Sequence, residues 1–310
     1  MTIRNRSEII FLYDVKDNNP NGDPLNENKP RIDEETNENY VTDVRLKRTI
    51  RDYIANSGNQ PPNKIFMLAE RKENRCLTSM KEISEQFENI DELVSSCIDI
   101  RLFGGTLALK AGKDDKKGDN NHAITGAVQF RPGRSMHKVV VKENQITRTV
   151  PNELDKTQGT FGFDQRLYYS LIKFYGVINE NTAKDTNLSE KDVELLLEAM
   201  WFGTKDLNTR SKIGHTPRLL IKIDYEPGYF IGDLDSKVKL VKKDENMQDE
   251  QIRSTEDYKI DLSDLKNILN IKKDKIERIF IAKSDDLELT DDFSVDKKVD
   301  GKDIINDLGF

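Results

Sequence analysis

Cysteine, histidine, tryptophan and long apolar runs are all scarce in this 310-residue chain, and each scarcity removes a class of protein. Two cysteines, Cys76 and Cys97, cannot build a disulfide framework, and neither lies in a CxxC pair. His122, His137 and His215 stand far apart in sequence, so no zinc-ligand spacing exists. The early apolar run Ile9–Tyr13 is too short for a membrane span or a signal-peptide core, and a soluble, cytoplasmic protein is expected. No P-loop, GxSxG elbow or HExxH motif is present, and no carboxylate spacing singles out an acid–base pair. No cofactor is expected.

Basic charge is not in excess either: 49 Lys+Arg face 56 Asp+Glu, a net charge of -7. Residues 221–310 hold 16 basic and 23 acidic groups, which accounts for the whole deficit and leaves residues 1–220 neutral. Phosphate contacts are made by local patches, so the distribution matters more than the total. Arg45, Lys47, Arg48 and Arg51 crowd one segment beside Asp43 and Asp52. Residues 131–173 carry eight basic and four acidic groups, and residues 200–222 carry five against Asp206 alone. A solvated basic face is the bland reading of each; together they point to a binding rail for nucleic-acid phosphates.

Periodicity supplies the fold. Glu8–Val15 reads as a central strand covered on both faces. Thr42 predicts an N-cap for a helix through Ala55, with Leu46, Ile50 and Ile54 facing inward. Helical spacing continues through Ile83, Phe87, Ile90 and Val94. Strands are expected at Ile98–Phe103, Ile124–Phe130, Lys138–Val141 and Arg166–Ile178, with residues 131–163 forming a protruding hairpin. Ser189 and Asp192 resemble a capping box ahead of the amphipathic set Val193, Leu196, Leu197, Met200 and Trp201. A strand at Arg218–Tyr225, a linker at Lys242–Asp257, a helix at Ser263–Ile271 and a strand at Lys275–Ile281 complete the chain. The stripped order, strand-helix-strand-strand-helix-strand, is an α+β, RRM-like (ferredoxin-like split βαβ) pattern.

The loop Asn18–Pro24 contains a decoy. Asp17, Asn19, Asn21 and Gly22 match the first positions of an EF-hand, but Asn28 occupies the twelfth, and prolines interrupt the run. A turn is the better reading. Phe103, Phe130 and Phe161 are candidates for base stacking, with core packing the alternative for each.

Several strings, taken in order, resemble the CRISPR-associated backbone subunits of Cascade complexes (the Cas seven family), in particular its type I-B branch. They are Asn19–Pro24, Pro30–Asp33, Val41–Arg48, Asp99–Gly105, Ile124–Phe130 and Arg210-Ser211. The resemblance implies a hand-shaped protein. Its RRM-like palm would comprise residues 1–58, 98–130 and 164–310, with a helical insertion at 59–97 and a thumb hairpin at 131–163. Copies would stack as a helical filament along CRISPR RNA, with other Cascade subunits and guide-paired target DNA as further partners. Arg45, Lys47, Arg48 and Arg51 would line the RNA groove, and Asn19, Asn21 and Arg31 would order the loop beside it. Arg101, Gly104 and Gly105 would let backbone amides approach phosphate. Arg131, Arg134, Ser135 and Arg166 would sit near the thumb's base, with Arg210 and Ser211 in a loop facing RNA. The alternative is a metal-dependent RNase of the type III kind, using a thumb aspartate, Asp155 or Asp164. The acidic C-terminal ninety residues have no assigned counterpart; a surface cap or an electrostatic shield against stray RNA is expected there.

Overall fold

The computed structural model describes residues 2–68, 78–108, 121–147, 161–299 and 302–310. Its first half contains β1 (Ser7–Asn18), β2 (Glu38–Val41), α1 (Asp43–Asn56), α2 (Met80–Ser84), α3 (Ile90–Ser96), α4 (Ile98–Phe103), β3 (Gly104–Ala108) and β4 (Asn121–Thr125). There follow β5 (Val128–Phe130), β6 (Gly133–Ser135), β7 (Val141–Thr147), β8 (Phe161–Ile178), α5 (Glu180–Thr186), α6 (Glu190–Lys205) and β9 (Thr216–Tyr225). The C-terminal part adds β10 (Lys239–Lys242), β11 (Tyr258–Asp261), α7 (Ser263–Ile271), β12 (Ile276–Lys283) and β13 (Ile305–Asp307).

A ten-stranded mixed sheet organises the chain, with β1 at its centre between β8 and β9, both antiparallel to it. β5 and β6 pair with the other edge of β8, and β12 continues the sheet beyond β9. Alternate residues of β1 enter two different cores. Ile9, Phe11, Tyr13 and Val15 pack with Leu46, Ile50 and Ile54 of α1 and with Val193, Leu196 and Met200 of α6. Ile10 and Leu12 point the other way, into a layer containing Ile252, Tyr258, Ile260, Leu265 and Leu269. The unbroken apolar run in β1 follows directly from this double cover.

Local chemistry sets the helix boundaries. The Thr42 hydroxyl accepts the Arg45 N–H at 3.3 Å and starts α1. Ser189 and Asp192 form the expected capping box at α6, with reciprocal bonds of 3.2 and 2.8 Å. α7 spans the expected residues. Ile98–Phe103 is a correction: it forms α4, and all six residues are buried. Its apolar/polar alternation suggests a half-exposed strand, but Asp99 and Arg101 turn inward to ion pairs with Arg51 and Asp192. The strand expected over Lys138–Val141 begins only at Val141, where β7 starts its antiparallel ladder with Phe161–Leu167 of β8. Gly133–Ser135, placed in the hairpin by its sequence, is a strand of the main sheet.

The acidic C-terminal part needs a larger correction. Apart from the buried pair of Lys222 with Asp224 in β9, many of its charges lie on the outside, in pairs such as Lys239–Asp264 and Lys243–Glu288, while its apolar residues form the sheet's second covering layer. Buried carboxylates of the sheet tie this layer down. Glu8 accepts from the Tyr175 and Tyr225 hydroxyls and from the Ile231 and Gly232 N–H groups. Asp14 accepts from Arg218 Nε and the Tyr169 hydroxyl, both at 2.8 Å, and that hydroxyl lies 2.8 Å from the hydroxyl of Tyr258. Burial raises the Asp14 pKa, and Arg218 opposes the shift.

A candidate nucleic-acid interface

At the end of β1 the chain leaves the sheet through Asp17, whose φ of +50° starts the turn. Asparagines then order the loop. The Asn19 N–H donates to Ser211 O at 3.0 Å, and its side-chain amide donates to Asn28 O at 2.7 Å. Asn21 Oδ1 accepts from both the N–H and the hydroxyl of Thr42, at 2.9 and 3.0 Å. That contact joins the loop to the N-terminus of α1. The asparagines matched to EF-hand positions therefore bond to the chain itself. Arg31 follows through its N–H to Asn21 O at 3.3 Å, and its guanidinium reaches Asp23 at 3.4 Å.

Two more segments close on the same place. Arg166 of β8 donates to Asp17 O at 3.1 Å and Asn18 Oδ1 at 3.3 Å. Asp164 holds Arg166 at 2.8 Å and Arg210 at 3.3 Å. Lys212 Nζ donates to Asn19 O at 3.0 Å. Asn19, Asn21, Arg31, Arg45, Arg166, Arg210 and Ser211, spread over nearly two hundred residues of sequence, are linked around one end of the sheet.

Charge compensation divides the cations into two kinds. On the outer face of α1, Lys47 pairs with Asp43 at 3.0 Å, Arg48 with Asp52 at 2.6 Å and Arg51 with Asp99 at 2.9 Å. Lys47 and Arg51 also lie over the Phe103 ring, 5.5 and 5.1 Å from its centroid. Arg45 differs. Its guanidinium donates to Thr49 Oγ1 at 3.0 Å, its Nε is buried without a partner, and burial lowers its pKa. Lys212 has only a backbone carbonyl as its bonded partner, and burial together with Arg45 pushes it down to about 8. Among the described residues, neither forms an ion pair with a carboxylate. His215 lies behind them, stacked on Tyr13 at 5.8 Å, and burial followed by Lys212 and Arg45 drives it down to about 3. It is neutral at physiological pH. Unpaired, partly desolvated positive charge is costly and is relieved by an anion.

Other expected residues lie elsewhere. Arg101 is 5% exposed; its guanidinium holds Asp192 through two bonds, at 2.7 and 3.1 Å, and donates to Val94 O, Ser95 O and Pro62 O. It is a buried structural cation, which corrects its reading as a phosphate-side residue. The Gly104 amide caps α4 on Ile100 O, and a Cβ there would lie 2.1 Å from Ile124 O. The Gly104 position, at φ +72°, serves backbone packing against β4, where Gly105 pairs with Ile124. Ser135 is also buried, its hydroxyl held between Asn39 N–H and His137 O.

Arg131 and Arg134 are half-exposed but lie across the sheet from α1, beside a groove of about 790 Å³ lined by Tyr40, Lys173, Tyr175 and Leu240. Each has acidic neighbours: Asp233 and Asp235 for Arg131, Asp33 and Glu38 for Arg134. Phe103 and Phe130 are core residues, and Phe161 pairs with Thr147 in the hairpin. Asp155 lies outside the described residues.

Sequence reasoning missed two members of the site. Lys212 was legible only as one cation in a basic segment, although it directly follows Arg210-Ser211. His215 carried no signal beyond its rarity, because its role depends on burial behind Arg45.

Comparison with known proteins identifies the family. Residues 5–263 match the family described as CRISPR-associated protein Cas7. The chain is 32% identical over 315 residues to a CRISPR-associated protein Cas7 of Haloferax volcanii, covering 93% of this chain and 90% of that protein. Two solved structures share the fold at 14–15% identity. A chain of a CRISPR RNA-guided surveillance complex has a TM-score of 0.52, over 93% of this chain and 91% of its own. A chain of such a complex in a pre-nicking state has a TM-score of 0.56, over 97% and 96%. The chain belongs to the Cas7 family of CRISPR-associated proteins.

Proposed function

We propose that the protein is a non-catalytic, guide-RNA-binding backbone subunit of a type I Cascade surveillance complex. The observation that carries this reading is the pair Arg45 and Lys212, neither ion-paired with a carboxylate among the described residues, set in a rim of Asn19, Ser211, Arg166 and Arg210. A ribose-phosphate chain is the ligand whose charge such a rim matches, and it is read here by backbone shape. The exposed pair of Arg48 with Asp52 is worth at most about 1 kcal/mol, so a phosphate competes for that guanidinium at little cost.

In this reading the strands β9-β1-β8-β5, with α1 and α6 on one face, are the RRM-like palm; 59–97 is the helical insertion, and the hairpin of β7 with the start of β8 is the thumb. Copies of the chain stack along one guide, whose exposed bases pair with target DNA, so that base pairing supplies sequence specificity. The type III kind of RNA cleavage has less support: Asp164, the thumb-end aspartate that is described, bridges Arg166 and Arg210. Among the described residues no helix is long and apolar enough to cross a membrane.

Expression with and without a CRISPR array tests the function. Guide-length RNA is expected to co-purify when the array is present and to be lost in an Arg45→Glu, Lys212→Glu double variant. Equal RNA recovery from wild type and double variant would contradict the reading.

A further inference from the structure

We infer that Lys212 is a phosphate anchor at this end of the sheet and that it takes up a proton when nucleic acid binds. This rests on the RNA-binding reading above but names a residue outside the family strings, and gives the site a dependence on pH.

The geometry is specific to Lys212. Its Nζ donates to Asn19 O at 3.0 Å, and the Asn19 N–H in turn donates to Ser211 O, so two crossing bonds fix the lysine's own loop to the loop after β1. The charged groups on the neighbouring elements do not relieve it. On α1, Arg45 faces it as a like charge, whereas Asp43 and Asp52 are engaged by Lys47 and Arg48. On β8, Asp164 is shared by Arg166 and Arg210. In the first loop, Asp17 faces Lys142 at 3.6 Å and Asp23 faces Arg31. On its own segment, His215 is buried and neutral, its Nε2 without a partner. Tyr13 of β1 stacks on that imidazole, and burial raises its pKa, so it too brings no charge.

Without ligand, burial and Arg45 therefore disfavour the ammonium form and hold Lys212 near 8. A phosphate beside it reverses the balance, because an adjacent negative charge favours the ammonium form. The sign follows from linkage: below the free-state value Lys212 is already charged and binding needs no proton. Above it, each binding event draws in about one proton, and affinity falls by up to about tenfold per pH unit until the bound-state value is reached. Arg45 stays charged throughout and contributes no such slope.

The experiment uses the full chain and a short, fluorescently labelled polyuridine RNA, with affinity measured from pH 7 to pH 9.5 at fixed ionic strength. Wild type should lose about fivefold between pH 8 and 9, and calorimetry in two buffers of different ionisation enthalpy at pH 8.5 should report proton uptake. Lys212→Arg should bind at pH 7 within a few-fold of wild type, with a flat profile and no uptake. RNA binding that is flat in pH for wild type, or a slope that survives in Lys212→Arg, overturns the proposal while leaving the RNA-binding reading intact. Absence of salt-sensitive RNA binding at every pH overturns both.

Discussion

Arg101→Ala is expected to destabilise the folded chain by about 3–5 kcal/mol, the range for removing one partner of a buried ion pair. The loss exceeds that of a surface pair because Asp192 is left buried in α6 without its partner, where it also caps the helix through the Ser189 N–H. Three backbone carbonyls on α3 and the segment before it lose their donor as well. Urea denaturation reads the change as a shift in midpoint at constant slope. An Arg101→Ala variant within about 0.5 kcal/mol of wild type would show that the residue is not the buried structural cation described here.

Truncation after Leu240 is expected to abolish cooperative folding. It removes Ile252, Tyr258, Ile260, Leu262, Leu265, Leu269, Ile276 and Ile279, each at most 3% exposed in the native chain. Full burial of such side chains contributes roughly 1.5–3 kcal/mol each, and together they exceed the 5–15 kcal/mol by which a whole domain is stable. The cut also turns β9 into an edge strand and leaves the Tyr169 hydroxyl without Tyr258. Circular dichroism should show no sharp thermal transition, and a hydrophobic dye should bind strongly. A soluble fragment with a cooperative transition would return the acidic region to the role of a dispensable surface cap.

These two cases show what was legible in the sequence and what was not. Caps are local: Thr42 with Arg45 and Ser189 with Asp192 lie within one helical turn, and each starts its helix where expected. Double cover of β1 was legible for a similar reason, since an unbroken apolar run has no solvent face. The identity of the second cover was hidden, because the acidic composition of residues 221–310 masks sparse apolar positions that only the fold collects. α4 was misread because period-two alternation is informative only when the polar residues face water, and Asp99 and Arg101 do not. The cluster was half legible. Arg45, Arg210, Ser211 and the loop asparagines come from the matched strings and lie with Arg166 at one end of the sheet, whereas Arg131 and Arg134 lie across the sheet and Arg101 turns into the core. Charge counting sees cations but not their partners, so it could not separate the paired Lys47, Arg48 and Arg51 from the unpaired Arg45 and Lys212.

The salt dependence of single-stranded RNA binding tests the site most directly. Affinity is measured for wild type and for an Arg45→Gln, Lys212→Gln double variant across a range of monovalent salt at pH 7. Wild type should weaken steeply, with a log–log slope of about -0.7 for each phosphate neutralised, and the double variant should bind more weakly with a slope shallower by about 1.4. A wild-type affinity indifferent to salt, or a double variant with an unchanged slope, would contradict the claim that these unpaired cations hold the nucleic-acid backbone.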